Sequence, residues 1–322
     1  MGVVRARKWG PWSQRAICVG AFGLLALAPE VMGLYWLRVI TTVLMFAVIA
    51  QSINIIAGYV GYPAFGNVVF FGLGAYGTGV AMVKLNAPFL GGMCVGLLLC
   101  AVVVIVLGPP LLRLRGHYFA IATLGLNEAI KAIINNLTAV TGGGTGLSLP
   151  LLDATVEDAA AYFYRAFLLL VGLGVAVAAL LRSSRFGYAC RAIRANEEGA
   201  EALGINTTFY KTLAWLISAL LAGCAGGLYA QWFAYIEPPV VFDMMLAVKG
   251  FVMFLLGGPA TIFGPLIGAG LVEIIATLTW SHLLNYHLGL LGILIMIAAV
   301  AMPNGLLRAV SDRVNHIRSN RR

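Results

Sequence analysis

The sequence predicts an all-α, polytopic integral membrane protein with about ten transmembrane helices. Of its 322 residues, 61% are hydrophobic and only 10% are charged, whereas a soluble domain carries about 25% charged residues. So few charged side chains cannot cover a protein surface in water. The chain also contains 39 glycines, and small residues let membrane helices approach closely. Long unbroken apolar runs exclude a transmembrane barrel, because its strands alternate in polarity.

Apolar runs long enough to cross a bilayer as a helix, about 20 residues, recur along the chain. The eighth run is short and contains Lys249 followed by glycine. The predicted spans are 16–35, 38–57, 67–84, 88–112, 118–137, 162–181, 212–235, 244–258, 264–282 and 287–303.

The distribution of basic residues predicts the topology. A net charge of +9 could suggest nucleic-acid binding, but the basic clusters lie between apolar runs, as the positive-inside rule requires. We therefore expect membrane lipid, and no nucleic acid, as a partner. Ten spans threaded from an inside N-terminus place both termini and every cluster in the cytoplasm. The clusters are Arg5–Arg15, Arg113–Arg115, Arg182–Lys211 and Arg308–Arg322.

The same threading predicts the domain organisation. Residues 1–15 form a cytoplasmic segment, 16–307 a single transmembrane domain with a long cytoplasmic loop at 182–211, and 308–322 a basic cytoplasmic tail. The loop over 138–161 carries three acidic and no basic residues, which favours the outer side.

Two similar breaks interrupt the apolar pattern. Gly-x-Pro-Ala occurs at Gly61–Ala64 and again at Gly257–Ala260. Matching Gly/Pro interruptions in two halves of a membrane protein indicate a transport pathway. Two ordinary turns explain the same residues, and the sequence leaves both interpretations open.

Ionisable residues inside predicted spans are costly in lipid and are functional candidates. Glu128 and Lys131 are three residues apart and share one helix face, so they can pair. Lys249 and Glu273 are a second candidate pair. Both pairs could line a translocation path or lock helices together. The complete set of candidates for a translocation path or a helix lock also includes residues that are not ionisable. It is Gly61, Pro63, Thr123, Asn127, Glu128, Lys131, Lys249 and Glu273.

The sequence predicts no catalytic residue, no metal site and no cofactor bound by this chain. The glycine run Thr141–Ser148 has no Lys before its Ser, so it is not a Walker phosphate loop. Glycine pairs of the GxxxG type, such as Gly92 with Gly96 and Gly223 with Gly227, predict close helix packing within the subunit.

The charged loop at 182–211 is longer than a link between two spans requires. It retains apolar residues among polar ones, which predicts short amphipathic helices with Gly204 as a stop. We interpret it as a docking surface for a soluble partner, with a solvated loop as the alternative. Its candidate residues are Arg191, Arg194, Glu197, Glu198, Ala202, Leu203, Gly204 and Ile205.

Several segments resemble the inner-membrane permease subunits of branched-chain amino acid ABC importers, the LivM type. The resemblance covers about residues 40 to 307, and its most specific part is the Ala-Leu-Gly-Ile segment. One departure is Asn67, where the family often has His. The matching segments are Gly61–Gly66, Phe71–Tyr76, Leu114–Leu124, Thr141–Leu147, Ala192–Glu198 and Ala202–Asn206.

This resemblance implies the ABC importer permease fold and a multi-pass protein of the bacterial inner membrane. It implies a heterodimer with a related permease, two cytoplasmic ATPase subunits that use ATP, and an extracytoplasmic substrate-binding protein. The loop containing Ala202–Gly204 resembles the coupling element that the ATPases grip. Alternating access would then carry branched-chain or other apolar amino acids.

Other functions stay open at this stage. The same family includes permeases for urea, short amides and small carboxylates. A stand-alone secondary transporter or channel would transport without ATP, and the long cytoplasmic loop counts against it. A membrane-embedded enzyme would need a catalytic group of His, Asp or Ser, which the sequence does not show.

Overall fold

The computed structural model describes residues 22–23 and 25–282, with side chains up to residue 277. Its regular secondary structure is helical apart from one pair of two-residue strands, β1 (Leu147–Ser148) and β2 (Tyr235–Ile236). The helices are α1 (Leu34–Ile53), α2 (Val68–Lys84), α3 (Phe89–Leu111), α4 (His117–Asn136), α5 (Val156–Ser183), α6 (Arg185–Ala195), α7 (Glu197–Ala202), α8 (Thr207–Phe233), α9 (Met244–Gly257) and α10 (Gly264–His282). Single helical turns at Thr138–Thr141 and Pro238–Val241 lie in the connections.

Within residues 25–282, six helical stretches are long and apolar enough to cross a membrane, and they contain α1, α2, α3, α5, α8 and α9. Helix α4 has 20 residues but a more polar sequence, and the apolar part of α10 there is shorter, Gly264–Thr277. The chain is therefore a multi-pass membrane protein. Ten spans are not seen in the described part, and the predicted tenth span at 287–303 lies outside it.

The predicted first span, 16–35, is wrong at its C-terminal boundary. Residues Ala28–Glu30 form a 3-10 turn, and Pro29 within it lacks the N–H that an α-helix would bond to the preceding turn. Gly33 then precedes the first residue of α1. Tyr35, the last residue of the predicted first span, instead lies in the first turn of α1.

The first break is an unusual helix end. Helix α1 continues into a π-helical turn, Asn54–Val60, which closes at Gly61 with φ of +88°. Such wide turns are rare and are frequently found at functional sites. A 3-10 turn at Phe65–Asn67 then leads into α2.

Close helix contacts hold the centre of the bundle. Helix α8 packs against α2 and α3, while α5 and α10 pack against α1. A Cβ on Gly96 would lie 2.7 Å from the carbonyl oxygen of Gly74, and one on Gly223 would lie 2.9 Å from Cys100 Sγ. The predicted role of the GxxxG pairs in packing within the subunit is confirmed.

The connections alternate between the two ends of the bundle. Residues 54–64, 112–116, 182–211 and 257–264 contact one another at one end. At the other end β1 pairs antiparallel with β2, with Leu147 opposite Ile236, and Gln231 donates a hydrogen bond to the carbonyl of Pro150 at 3.1 Å. This is the relative order of ends that the predicted threading requires.

Candidate docking and coupling site

The docking segment, residues 182–211, contains two short helices, α6 and α7, and the sequence predicts short helices in this segment. Ser184 caps α6 by accepting a hydrogen bond from Gly187 N at 3.1 Å, and Asn196 caps α7 by accepting one from Gly199 N at 3.0 Å. These side-chain oxygens satisfy backbone donors that a helix start leaves free. Gly204, with φ of +81°, follows the end of α7, which confirms it as the stop.

The two faces of the docking segment differ. Ile193 and Ala200 are buried against the bundle, whereas Leu203 is 82% exposed. The backbone N–H of Ile205 returns to the carbonyl of Ala200 at 3.1 Å, so the tip is a tight turn that presents Leu203. Ala202 is also exposed at this tip. The docking segment thus turns Ala202 and Leu203 away from the bundle, where a partner can contact them.

Glu197 is the centre of a cluster that joins three connections of the chain. It accepts hydrogen bonds from Lys211 Nζ at 2.6 Å and from Tyr62 Oη at 2.6 Å. Lys211 is buried and also donates to the carbonyl of Leu112 at 2.9 Å. Arg115 lies 2.9 Å from Glu198 and 3.9 Å from Glu197. We call Tyr62, Arg115, Glu197, Glu198 and Lys211 the Glu197 cluster.

The charges of this cluster are set by its hydrogen bonds. Burial alone would raise the pKa of Glu197, but the hydrogen bonds from Lys211 and Tyr62 and the positive charges of Lys211 and Arg115 lower that pKa below its ordinary value. Burial, followed by the hydrogen bond to Glu197, raises the pKa of Tyr62, so its hydroxyl keeps the proton that it donates. The stabilisation from the Glu197 carboxylate is present above its ordinary pKa and is lost as pH falls through the lowered one.

Arg194 connects the docking segment to the π-helical turn. Its Nη1 donates to the carbonyl oxygen of Gly58. A Cβ on Gly61 would lie 2.8 Å from Cγ of Arg194, and φ at Gly61 is +88°, so both the conformation and the contact require glycine there. Helix α6 therefore rests directly on the first break.

The remaining docking candidates are placed differently. Arg191 donates to the carbonyl of Arg182 at 3.1 Å, and its guanidinium lies 4.4 Å above the ring of Tyr188, so it stays within its own segment. Sequence reasoning missed Tyr62, Arg115 and Lys211 as members of the cluster. The sequence offered one signal for them: Tyr62 and Arg115 lie in segments that match the resembling family, and Lys211 ends a basic cluster.

Several path candidates hold helices together. Thr123 Oγ1 accepts a hydrogen bond from Gly66 N at 3.2 Å, and Asn127 Nδ2 donates to the carbonyl of Phe242 at 3.0 Å. Pro63 accepts from Phe65 N at 3.2 Å within the first break. These contacts fix α4 and the break to their neighbours.

Lys249 and Glu273 form the predicted pair. Lys249 Nζ lies 2.5 Å from Glu273 Oε2, with side chains only 17% and 10% exposed. The ammonium also lies 4.1 Å above the ring of Phe46. The pair thus joins α9 to α10 and touches α1, which is the helix-lock arrangement.

Glu128 and Lys131 also pair, but on an open face of α4. Their charged atoms are 3.7 Å apart, and the side chains are 60% and 30% exposed in the described part of the chain. The residues of α4 that are buried against the bundle follow the spacing of one helix face: Phe119, Thr123, Asn127, Ile130 and Ile134. The pair therefore lies away from that face.

Asn67, where the resembling permeases often have His, is a buried helix lock here. Its Nδ2 donates to Ser52 Oγ at 3.0 Å and to Ser218 Oγ at 3.1 Å. Its Oδ1 accepts from Trp215 Nε1 at 3.3 Å. These bonds join the start of α2 to α1 and α8.

The family model and the similar proteins point to the same family. The model of the branched-chain amino acid transport system permease component family matches residues 35–299. The LivM permease protein of Salmonella typhimurium is 28% identical over 295 residues, covering 83% of this chain and 68% of that protein. The probable LivM permease protein of Methanocaldococcus jannaschii is 24% identical, over 82% of this chain and 90% of that protein.

A second type of relative matches a shorter stretch. The LivH permease protein of Escherichia coli is 33% identical over 134 residues, covering 41% of this chain and 43% of that protein. No solved structure matches the chain. The match to the family model covers most of the chain, and this chain belongs to the family of permease components of branched-chain amino acid transport systems.

Proposed function

We propose that this chain is the permease subunit of an ABC importer that moves branched-chain or other apolar amino acids across the bacterial inner membrane by alternating access. It works with a second, related permease, two cytoplasmic ATPases and an extracytoplasmic binding protein. The observation that carries this proposal is the docking segment, whose apolar tip is exposed and whose base is bonded to the first break. ATP is bound and hydrolysed by the partners, and this chain binds no cofactor.

The end of the bundle that holds the docking segment is the cytoplasmic end. Arg113, Arg115 and Arg182–Lys211 lie there together, as the positive-inside rule requires. The acidic connection that precedes α5 is then extracytoplasmic, where the binding protein docks. Both termini are cytoplasmic in this orientation.

The tip of the docking segment is where an ATPase subunit grips. Leu203 supplies the apolar anchor, and Ala202 is exposed beside it. A charge at this tip prevents docking without disturbing the bundle, because the Leu203 side chain is already exposed.

Replacing Leu203 by glutamate is expected to lower the recovery of ATPase subunits with the permease by at least about tenfold, the loss typical of a central interface residue. Folding is unchanged. Affinity purification followed by quantitation of each subunit measures this. Leu151→Glu is the matched control, because Leu151 is 80% exposed at the opposite end; equal ATPase recovery from the two variants would place the docking site elsewhere.

The open face of α4 lines the translocation path. Glu128 and Lys131 lie near the middle of this helix, at a depth where charged side chains face water or protein and not lipid. Helix α3 shows the contrast, since its mean hydropathy is 2.9 and most of its side chains are exposed on the surface of the bundle. The α4 face is therefore turned to the second permease and to the water-filled path between them.

The charges on that face support an amino acid as substrate. An amino acid is a zwitterion, and its ammonium and carboxylate match Glu128 and Lys131. Urea and short amides carry no such charges, so they would form no ion pairs with Glu128 and Lys131. The other lining groups, among them Gly125, leave room for an apolar side chain.

The double variant Glu128→Gln with Lys131→Met is expected to lower leucine uptake about tenfold, because charge-assisted hydrogen bonds contribute about 1.5–3 kcal/mol. Uptake is measured with the assembled complex in proteoliposomes containing ATP. Glu30→Gln with Arg165→Met is the control, since that pair is exposed and 3.5 Å apart. Unchanged leucine uptake in the α4 variant, or uptake of urea in place of leucine, would contradict the assignment.

A further inference from the structure

The two Gly-x-Pro-Ala breaks are bonded to each other. Asn54, the first residue of the π-helical turn, is fully buried. Its Nδ2 donates to the carbonyl of Thr261 at 2.9 Å, and its Oδ1 accepts from Ala260 N at 2.9 Å. One side chain thus satisfies both a donor and an acceptor in a segment that lies more than 200 residues away in sequence.

Further contacts make the junction close. A Cβ on Gly58 would lie 2.9 Å from Ala260 N, so a side chain cannot fit between the two backbones there. Phe65 stacks on Phe251 of α9, with ring centroids 4.2 Å apart. We call residues 54–64 and 257–264 together the paired breaks.

The docking segment bonds to the same place. Arg194 donates to Gly58 in the middle of the π-helical turn, and Glu197 accepts from Tyr62 just beyond it. The docking segment is therefore joined to the first break, which Asn54 joins to the second.

We infer that the paired breaks move as one body at the cytoplasmic end, and that Asn54 transmits displacement of the docking segment from α1 to α9 and α10. This inference rests on the proposed function. Backbone outside regular helix absorbs changes in φ and ψ most easily, so breaks are where bundle helices bend. Arg194 and Glu197 position the first break, and Asn54 couples the second break to it.

A static helix lock predicts a different result. Removing a purely structural hydrogen bond lowers stability and the amount of complex, but each assembled complex still moves the same number of substrate molecules per ATP. Removing a transmitting residue lowers that ratio, because hydrolysis continues while only one break responds. The ratio of uptake to hydrolysis separates the two roles.

The test compares Asn54→Ala with Gln51→Ala in the complete complex reconstituted in proteoliposomes. Gln51 is also a buried amide, one turn earlier in α1, and it donates to the carbonyl of Gly174 in α5 at 3.3 Å. For Asn54→Ala we expect retained ATP hydrolysis and a decrease in leucine uptake per ATP of about fivefold or more. For Gln51→Ala we expect a ratio equal to that of the unmodified protein.

A second, milder variant tests the same inference if Asn54→Ala does not fold. Tyr62→Phe removes only the hydroxyl that bonds Glu197, and it should lower the same ratio in the same direction. An unchanged ratio in Asn54→Ala, or an equal decrease in Gln51→Ala, would overturn the inference. Absence of ATP-dependent uptake by the unmodified complex would instead contradict the proposed function, and it is measured first.

Discussion

Glu273→Ala is expected to lower the free energy of unfolding by about 3–5 kcal/mol, because it leaves the largely buried ammonium of Lys249 without its partner. In the intact protein that ammonium lies 2.5 Å from the carboxylate and above the ring of Phe46. No water in the bilayer core can replace the lost carboxylate. Helices α9 and α10 would then separate from α1 first.

The matched control removes both charges. Lys249→Met with Glu273→Met keeps similar side-chain volume and leaves no buried charge, so its stability should lie close to that of the unmodified protein. Denaturation of the purified subunit in detergent, followed by circular dichroism, measures all three proteins. A double variant as unstable as Glu273→Ala would show that the pair contributes more than mutual neutralisation.

Gly226→Ala is expected to destabilise the bundle by at least about 2 kcal/mol, since overpacking a tight contact typically costs 1–3 kcal/mol. A Cβ at this position of α8 would overlap the carbonyl oxygen of Phe71 in α2. The obstacle is backbone, so no side-chain rotation relieves it. Helices α8 and α2 would have to move apart along the most extensive contact of the bundle.

Gly270→Ala in α10 provides the comparison. Among the described residues, no atom beyond its immediate surroundings lies within 4 Å of a Cβ built there. Alanine is a better helix former than glycine by about 1 kcal/mol, so this variant should be as stable as the original or more so. Equal melting temperatures for the two variants would contradict the packing argument.

Much of the helical framework could be predicted from the sequence, because apolar run length and charge position are local properties. Short helices before Gly204 could be predicted, because the apolar residues there have amphipathic spacing and a glycine commonly ends a helix. The Lys249–Glu273 pair could be proposed because lipid penalises both charges. The end of the first span was mispredicted, because the apolar run continues through Pro29 while the α-helix does not.

The bonds that make the site were not predictable in the same way. Asn54 looked like one polar residue at the end of an apolar run, and its partners in 260–261 are set by tertiary packing. Lys211 appeared as the last residue of a basic cluster, while its burial beside Glu197 and Tyr62 depends on how α8 enters the bundle. The sequence left open whether the two Gly-x-Pro-Ala breaks are related; the structure shows that they are in contact.

The most direct test of the proposed function is affinity purification of this chain from its native membrane in mild detergent, with mass spectrometry of the proteins that accompany it. The proposal predicts recovery of a second, related permease together with P-loop ATPase subunits. Recovery of this chain alone, with transport intact and independent of ATP after reconstitution, would contradict it in favour of a secondary transporter or channel.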